Sequence, residues 1–291
     1  MAKIRIRGHE SFMVREGWLS KGLICVAGDN FLFRNVILAA EKLEIGVNMV
    51  KSIRYWMLAF GLMEERKSNG VFLSDLGLKL LKYDCYLEDS FSLWLLHSNI
   101  AKNKEKATTW YIFFNKYIIN EFSKEQLFLP LKRELITYTE NNDFADGSLK
   151  SDIDILLNMY SKQGDDDDPE DKNRCPFARL GIIKNEGDAY IRQQPRLNRF
   201  NDYVILYELS CEFQDDESGN GAIKESVSID KIAETAFNIY NLTRVSINTI
   251  LDRLDNEEYI RVDRTAGLDV IYPLNIKKPL EVIEEYYTNR H

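Results

Sequence analysis

Cysteine, histidine and proline are scarce in this chain of 291 residues, at 4, 3 and 6 copies. Cys25, Cys85, Cys175 and Cys211 stand at least 36 residues apart with no Cys-x-x-Cys pair, which excludes a zinc ribbon or a disulfide framework and fits thiols kept in a reducing compartment. Three histidines (His9, His97, His291) are too few for an HNH-type nuclease site. Six Pro and 15 Gly exclude collagen-like and low-complexity architectures. Neither a Gly-x4-Gly-Lys-Ser/Thr loop nor a Gly-x-Gly-x-x-Gly turn occurs, so nothing supports ATP or dinucleotide binding. Long apolar runs are missing too: Phe91–Leu96 and Trp110–Phe114 fall far short of the ~20 residues that span a bilayer. The opening MAKIRIRGHE has charge without an apolar stretch behind it, so a signal peptide is not expected and a cytoplasmic protein is.

What is present is an ordinary globular composition, 45% hydrophobic and 29% charged, with a net charge of −8. Its distribution is uneven. Residues 1–70 carry 11 Lys/Arg against 7 Asp/Glu, a local +4 that leaves −12 for the other 221 residues. Asp165–Asp168, Glu170 and Asp171 put six carboxylates into seven positions, a self-repelling block expected to form a solvated loop. Consecutive acids do not match the alternating spacing of a calcium loop.

Helical periodicity and turn signals predict a mainly α fold with small β-hairpins, in which two winged helix-turn-helix units flank a helical middle. The expected division is residues 1–75 (an N-terminal latch and winged helix), 76–163 (helical), 164–225 (acidic loop and mixed connector) and 226–291 (a C-terminal winged-helix-like unit). In the first unit, Arg34–Leu43 reads as a helix, Glu44-Ile45-Gly46 as a break, and Val47–Phe60 as a second helix. Val50, Ile53, Met57 and Phe60 form its apolar stripe. Asn48, Lys51, Ser52 and Tyr55 mark the opposite, polar face, with Arg54 on its flank. Gly61 is the expected C-cap, and Lys67-Ser68-Asn69-Gly70 the hairpin turn. In the second unit, Ser228 and Thr243 are expected N-caps and Tyr259–Val262 with Leu268–Tyr272 the hairpin. Between the units, Ser148–Tyr160 reads as a helix and Tyr203–Leu209 as a strand. The aromatics Phe91, Trp94, Trp110, Tyr111, Phe113, Phe114 and Tyr117 recur all round their helices, so they read as core.

The second helix of the first unit is the strongest nucleic-acid signal. A major groove about 12 Å wide admits one helix, whose polar face must reach bases and phosphates. Asn48, Lys51, Arg54 and Tyr55 are suited to those contacts, with Arg66 and Lys67 on the wing. The second unit offers Arg244, Ser246, Thr249, Arg261 and Arg264, but Asp252 and Asp255 on the same helix repel phosphate, so protein contact competes with DNA contact there. The run Gly8–Phe12 and Arg15–Gly22 is too polar and glycine-rich for an amphipathic element. One reading is a structural latch in which Arg15 pairs a carboxylate and Trp18 is buried. The other is a nuclease site using His9, Glu10 and Glu16, with Arg15 and Lys21 as oxyanion partners and Mg²⁺ or Mn²⁺ as the metal. Glu170-Asp171-Lys172 has a restriction-type spacing but sits in a charge run. Asp152 and Asp154, two apart on a helix, point to different sides and cannot share a metal.

Several segments together are similar to one family. GHESF, EGWLSKG, VKSIRYWMLAFGL, ATTWYIFFNKY, SLKSDIDILLNMY, CPFARLGII and DRTAGLDVIY, spread from residue 8 to residue 272, resemble the DUF4007 family. That resemblance implies a DNA-binding and DNA-nicking component of a bacterial system that places phosphorothioate sulfur in one DNA strand and defends against phage. It implies a cysteine desulfurase, a PAPS-reductase-like enzyme and a P-loop ATPase as partners. Two rival readings stay open: a non-catalytic adaptor holding the sulfur-transfer enzymes together, and a transcriptional regulator that uses the two winged helices on an operator. A homodimer stays open under any of them.

Overall fold

Capping side chains and left-handed residues punctuate the first half of the chain, in a computed structural model that describes residues 4–66, 70–139, 144–162, 174–214 and 223–289. Helix α1 (Trp18–Gly28) follows Gly17, which turns the preceding arm at φ 75°. After a 3-10 turn (Leu32–Arg34), the Asn35 side-chain oxygen Oδ1 accepts from the N–H groups of Ile37 and Leu38 and starts α2 (Val36–Leu43), two residues later than the periodicity predicts. The break after α2 is made by Glu44 at φ 52°, while Gly46 only opens α3 (Val47–Ala59). Gly61, at φ 71°, ends that helix as expected. An antiparallel hairpin of β1 (Met63–Arg66) and β2 (Gly70–Leu73) follows, with Met63 opposite Leu73. Lys67 and the turn it begins lie outside the described residues, as does the acidic block 165–171.

The chain divides into two compact units, meeting between Gln193 and Gln194. The first therefore holds the arm, α1 to α3 and the helical middle together. Its remaining elements are α4 (Asp75–Tyr83), α5 (Ser90–Lys102), α6 (Thr108–Lys116), β3 (Glu121–Phe122), α7 (Lys124–Thr139), α8 (Asp146–Ser161), a 3-10 turn (Pro176–Leu180), β4 (Ile183–Glu186) and β5 (Ala189–Arg192). The three short strands pair antiparallel in the order β3-β5-β4. Helix α5 is buried on every side, and Phe91, Trp94, Trp110, Phe113, Phe114 and Tyr117 are core as expected. Only Tyr111 of that group reaches partly to the surface.

The second unit contains α9 (Asp202–Gln214), β6 (Val227–Ser228), α10 (Ile229–Tyr240), α11 (Arg244–Asn256), β7 (Ile260–Asp263), β8 (Val270–Pro273) and α12 (Pro279–Thr288). Its strands run antiparallel in the order β6-β8-β7. Ser228 and Thr243 cap α10 and α11 as the sequence predicts, accepting from the N–H groups of Asp230 and Ser246. The expected strand at Tyr203–Leu209 is instead the start of α9. A short continuous apolar run suits a buried helix as well as a buried strand, and Val204, Ile205, Leu206, Leu209 and Phe213 are all buried. Asn201, whose side chain accepts from the Tyr203 N–H at 2.9 Å, supplies the helix start that the periodicity did not.

Candidate nucleic-acid interface

The amino-terminal arm is pinned at both ends of a short path across the first unit. His9 is fully buried, its Nε2 lies 2.8 Å from Asp152 Oδ1 on α8, and its Nδ1 accepts from the Ser11 N–H at 3.0 Å. Since Nδ1 is an acceptor, the ring proton sits on Nε2 and is donated to Asp152. The same carboxylate accepts from the Arg7 N–H at 2.7 Å and from Thr109 Oγ1 at 2.5 Å. The His9 ring stacks on Trp56 and meets Tyr55 and Trp110 edge-on. Three residues on, the Phe12 carbonyl accepts from Trp56 Nε1 at 3.1 Å and from Ser52 Oγ at 3.3 Å. The arm thus joins α8 and α6 to the inner side of α3.

These contacts separate the residues expected to form a nuclease site. His9 is enclosed in the core, whereas Glu10 and Glu16 are exposed, and Glu16 pairs with Arg179 at 3.4 Å. Trp18 is buried as the latch reading requires. Arg15 finds no carboxylate among the described residues; its guanidinium lies 5.5 Å from the Trp18 ring centroid, a cation–π contact in place of the expected ion pair. Lys21 is bound to Glu44 at 2.8 Å. Asp152 and Asp154 do point apart: the first faces His9, and the second pairs with Lys124 at the surface.

On α3 the apolar stripe Val50, Ile53, Met57 and Phe60 is buried as expected, and Asn48, Lys51 and Arg54 are exposed. Ser52 and Tyr55 belong to the inner side, not to the polar face that the spacing predicts. Tyr55 is 4% exposed, and burial together with the nearby Asp152 charge pushes its hydroxyl pKa well up. The arm is the reason: the Gly8 backbone lies so close that a Cβ there would come within 2.3 Å of the Tyr55 ring. The outward surface of α3 is therefore a narrower stripe, Asn48-Lys51-Arg54, three residues apart per step.

Beside that stripe lies a cleft of about 500 Å³ lined by Asn30, Phe31, Phe33, Arg34, Arg54, Glu65, Arg66, Gly70 and Val71. Two nitrogens of Arg54 converge on one oxygen of Glu65, Oε1, with Nε at 2.9 Å and an outer nitrogen at 2.7 Å. The Arg66 guanidinium lies over the Phe72 ring at 4.7 Å, with Glu64 at 3.9 Å. Among the described residues, three arginines against one glutamate give the lining a net charge of +2. Arg34, Phe31 and Glu65 were not singled out from the sequence; their relation depends on how β2 docks on the 30–34 segment.

In the second unit two of the cations expected to meet DNA, Arg244 and Arg264, are engaged by acids of the same unit. Arg244 is 2.6 Å from Asp230 and 3.7 Å from Asp269, and Arg264 is 2.7 Å from Asp252. Arg261 is exposed. Ser246, expected on the outer face of α11, is buried, because it closes the Thr243 cap and accepts from Gln194 Nε2 at 2.9 Å.

Comparison with known proteins places this architecture. The sequence profile of a family described as "Protein of unknown function (DUF4007)" matches residues 6–287. The chain belongs to the DUF4007 family. No curated protein matches it. Two crystal structures share the fold of this DUF4007 chain: one described as magnesium ion-bound SspB, with TM-score 0.84, and one described as SspB, with TM-score 0.83. Each is 22% identical in sequence and covers 99% of this chain and 89% of its own. Among the described residues, no three His, Cys, Asp or Glu side chains gather closely enough to hold a metal ion. Also among the described residues, no helix is long and apolar enough to cross a membrane.

Proposed function

We propose that this DUF4007 chain is a DNA-binding subunit of a phosphorothioation system, with α3 entering the major groove and the β1–β2 hairpin resting on the backbone as a wing. The single observation that carries this reading is the outward stripe Asn48-Lys51-Arg54 of α3, which continues into the cationic cleft through Arg54 and Arg66. A helix face with one amide and two cations has the donors that adenine, guanine and phosphate accept. The order helix, turn, helix, hairpin in residues 36–73 supports a winged helix, and so does the strand order β6-β8-β7 beside α10 and α11. The link to phosphorothioation, and with it a cysteine desulfurase, a PAPS-reductase-like enzyme and a P-loop ATPase as partners, rests on the family and on the likeness to SspB. The second unit suits protein contact, since Arg244 on α11 and Arg264 after β7 are already held by Asp230, Asp269 and Asp252.

Supercoiled plasmid incubated with Mg²⁺ or Mn²⁺ tests the proposal. Retardation that weakens with salt and is lost in a Lys51→Ala/Arg54→Ala variant supports DNA binding through α3. Relaxation of the plasmid adds nicking to that role. A protein that neither retards nor relaxes DNA acts as an adaptor, and the DNA-binding reading then fails.

A further inference from the structure

We infer that the cleft between the 30–34 segment and the β1–β2 hairpin takes an unpaired nucleotide of a DNA strand, with its base stacked on Arg34 and its phosphate held by Arg54 and Arg66; this rests on the DNA-binding reading above. Arg34 and Phe31 carry the inference. The Arg34 guanidinium carbon lies over the Phe31 ring, 3.9 Å from its centroid, a close cation–π contact. Both residues line the cleft and both are exposed. An arginine held over an aromatic ring makes an exposed platform of the kind on which single-stranded bases stack.

The platform is built rather than incidental. The Phe31 N–H donates to Asp29 Oδ1 at 2.8 Å, and the Arg34 N–H to the Phe31 carbonyl at 2.9 Å, which fixes the turn that carries both side chains. Val71 N–H donates to the Asn30 carbonyl at 2.8 Å and ties this turn to β2. Gly70 permits that approach. At φ 92° it adopts a backbone few other residues accept, and a Cβ there would come within 2.1 Å of the Asn30 carbonyl oxygen and 2.9 Å of the Phe31 ring. The volume of about 500 Å³ lies within the ~300–1,000 Å³ usual for small-ligand sites. Its net positive lining selects an anionic ligand. A paired base inside a duplex cannot reach such a platform; a base in a gap, a bulge or a nicked end can, at little unstacking cost.

The test uses the full chain and hairpin DNA of one sequence in two forms, fully paired and with a single extrahelical 2-aminopurine, whose fluorescence reports stacking. The expected result is tighter binding of the unpaired form by about fivefold or more, with the probe's fluorescence changed on binding. Arg34→Lys keeps the charge but removes the planar cation, and Phe31→Leu keeps an apolar contact with Gly70 but removes the ring. Both should bring the two affinities together while leaving paired-duplex binding within about twofold. Equal affinity of the wild-type chain for both forms overturns the stacking site and leaves the DNA-binding reading standing. Failure to bind either form overturns both. Displacement of the probe by equimolar free deoxyadenosine monophosphate would assign the cleft to a free nucleotide and overturn its assignment to a DNA strand.

Discussion

His9 and Asp152, 143 residues apart in sequence, meet at 2.8 Å with neither exposed by more than 1%. This pair decides what the amino-terminal arm does. The imidazole is closed off from solvent and stacked on Trp56, so it cannot reach a phosphodiester at the surface, while its N–H satisfies a buried carboxylate. Arg7, Glu10 and Ser11 have φ of 58°, 51° and 65°, a left-handed backbone that these residues adopt only when surrounding contacts hold it. The hydrogen bonds to Asp152 and from Trp56 are the contacts available to do so.

The first prediction follows from that arrangement. His9→Ala strips Asp152 of one donor at a site water does not reach, a loss of about 1–3 kcal/mol before any cavity cost. Gly8→Ala drives a methyl group into the Tyr55 ring. Both variants should melt several degrees below the wild type, with DNA affinity per folded molecule unchanged within about twofold, because α3 keeps its outward stripe once folded. Thermal denaturation and anisotropy titration of the same samples check this. A His9→Ala protein with wild-type melting temperature and lost plasmid relaxation would restore the nuclease reading of the arm.

The second prediction concerns Glu65. It is bound to Arg54 at the mouth of the cleft, where a carboxylate repels the phosphate that Arg54 should attract. Both side chains are nearly half-exposed, so the pair contributes little to stability, about 0–1 kcal/mol. Glu65→Gln should raise duplex affinity several-fold at unchanged melting temperature. Lys51→Ala/Arg54→Ala should lower it, by about 1–3 kcal/mol for each lost base contact, or with a salt slope flatter by about 0.9 for each lost phosphate contact. A Glu65→Gln variant that binds more weakly would mean that Arg54 needs its carboxylate to be placed, and that it does not contact phosphate freely.

How much of this was legible beforehand depended on the range of the interactions involved. Ser228, Thr243 and Gly61 act on backbone within a few residues, and each stands where the sequence predicts. The stripe Val50, Ile53, Met57 and Phe60 follows from periodicity alone, and all four are buried. Ser52 and Tyr55 fit the same periodicity as surface residues, yet the arm covers them, through contacts 40 or more positions away. His9 offered metal-ligand chemistry on paper because nothing local announces Asp152 as its partner. The cleft escaped detection for the same reason: Phe31 and Arg34 precede α2 without a motif, and β2 gives them their setting.

A third prediction is pH-dependent. In the second unit Glu212 is partly buried, which raises its pKa, but the ammonium groups of Lys224 at 2.6 Å and Lys231 at 2.5 Å more than offset this and hold it below its ordinary 4.5. A carboxyl group with a lowered folded pKa stabilises above the unfolded value, and that contribution fades as pH falls through the folded one. The melting-temperature gap between wild type and Glu212→Gln should therefore be full at neutral pH and shrink below about pH 4.5. A gap independent of pH between 7 and the acid limit would remove the charged pair as its cause.

The fourth prediction divides labour between the units. Arg244 is held by Asp230 and Asp269, so binding a phosphate would require giving up two carboxylates that already neutralise it. Among the described residues, Lys51 and Arg54 have one such competitor between them, Glu65. Exposed cations contribute to DNA affinity by releasing counterions, and a cation already paired releases fewer. Arg264 is likewise held by Asp252, so Arg244→Ala with Arg264→Ala should change duplex affinity by less than about twofold and leave the salt slope unaltered within about 0.5, where the α3 double variant flattens it. The same second-unit variant should weaken capture of the enzymes proposed as partners, since Val245, among the most exposed apolar side chains described, follows Arg244 in the first turn of α11. Pull-down of the purified desulfurase and ATPase components measures this directly. Equal losses of DNA affinity from both double variants would instead make the second unit a second reader of the duplex, and the adaptor role would have to be sought elsewhere on the chain.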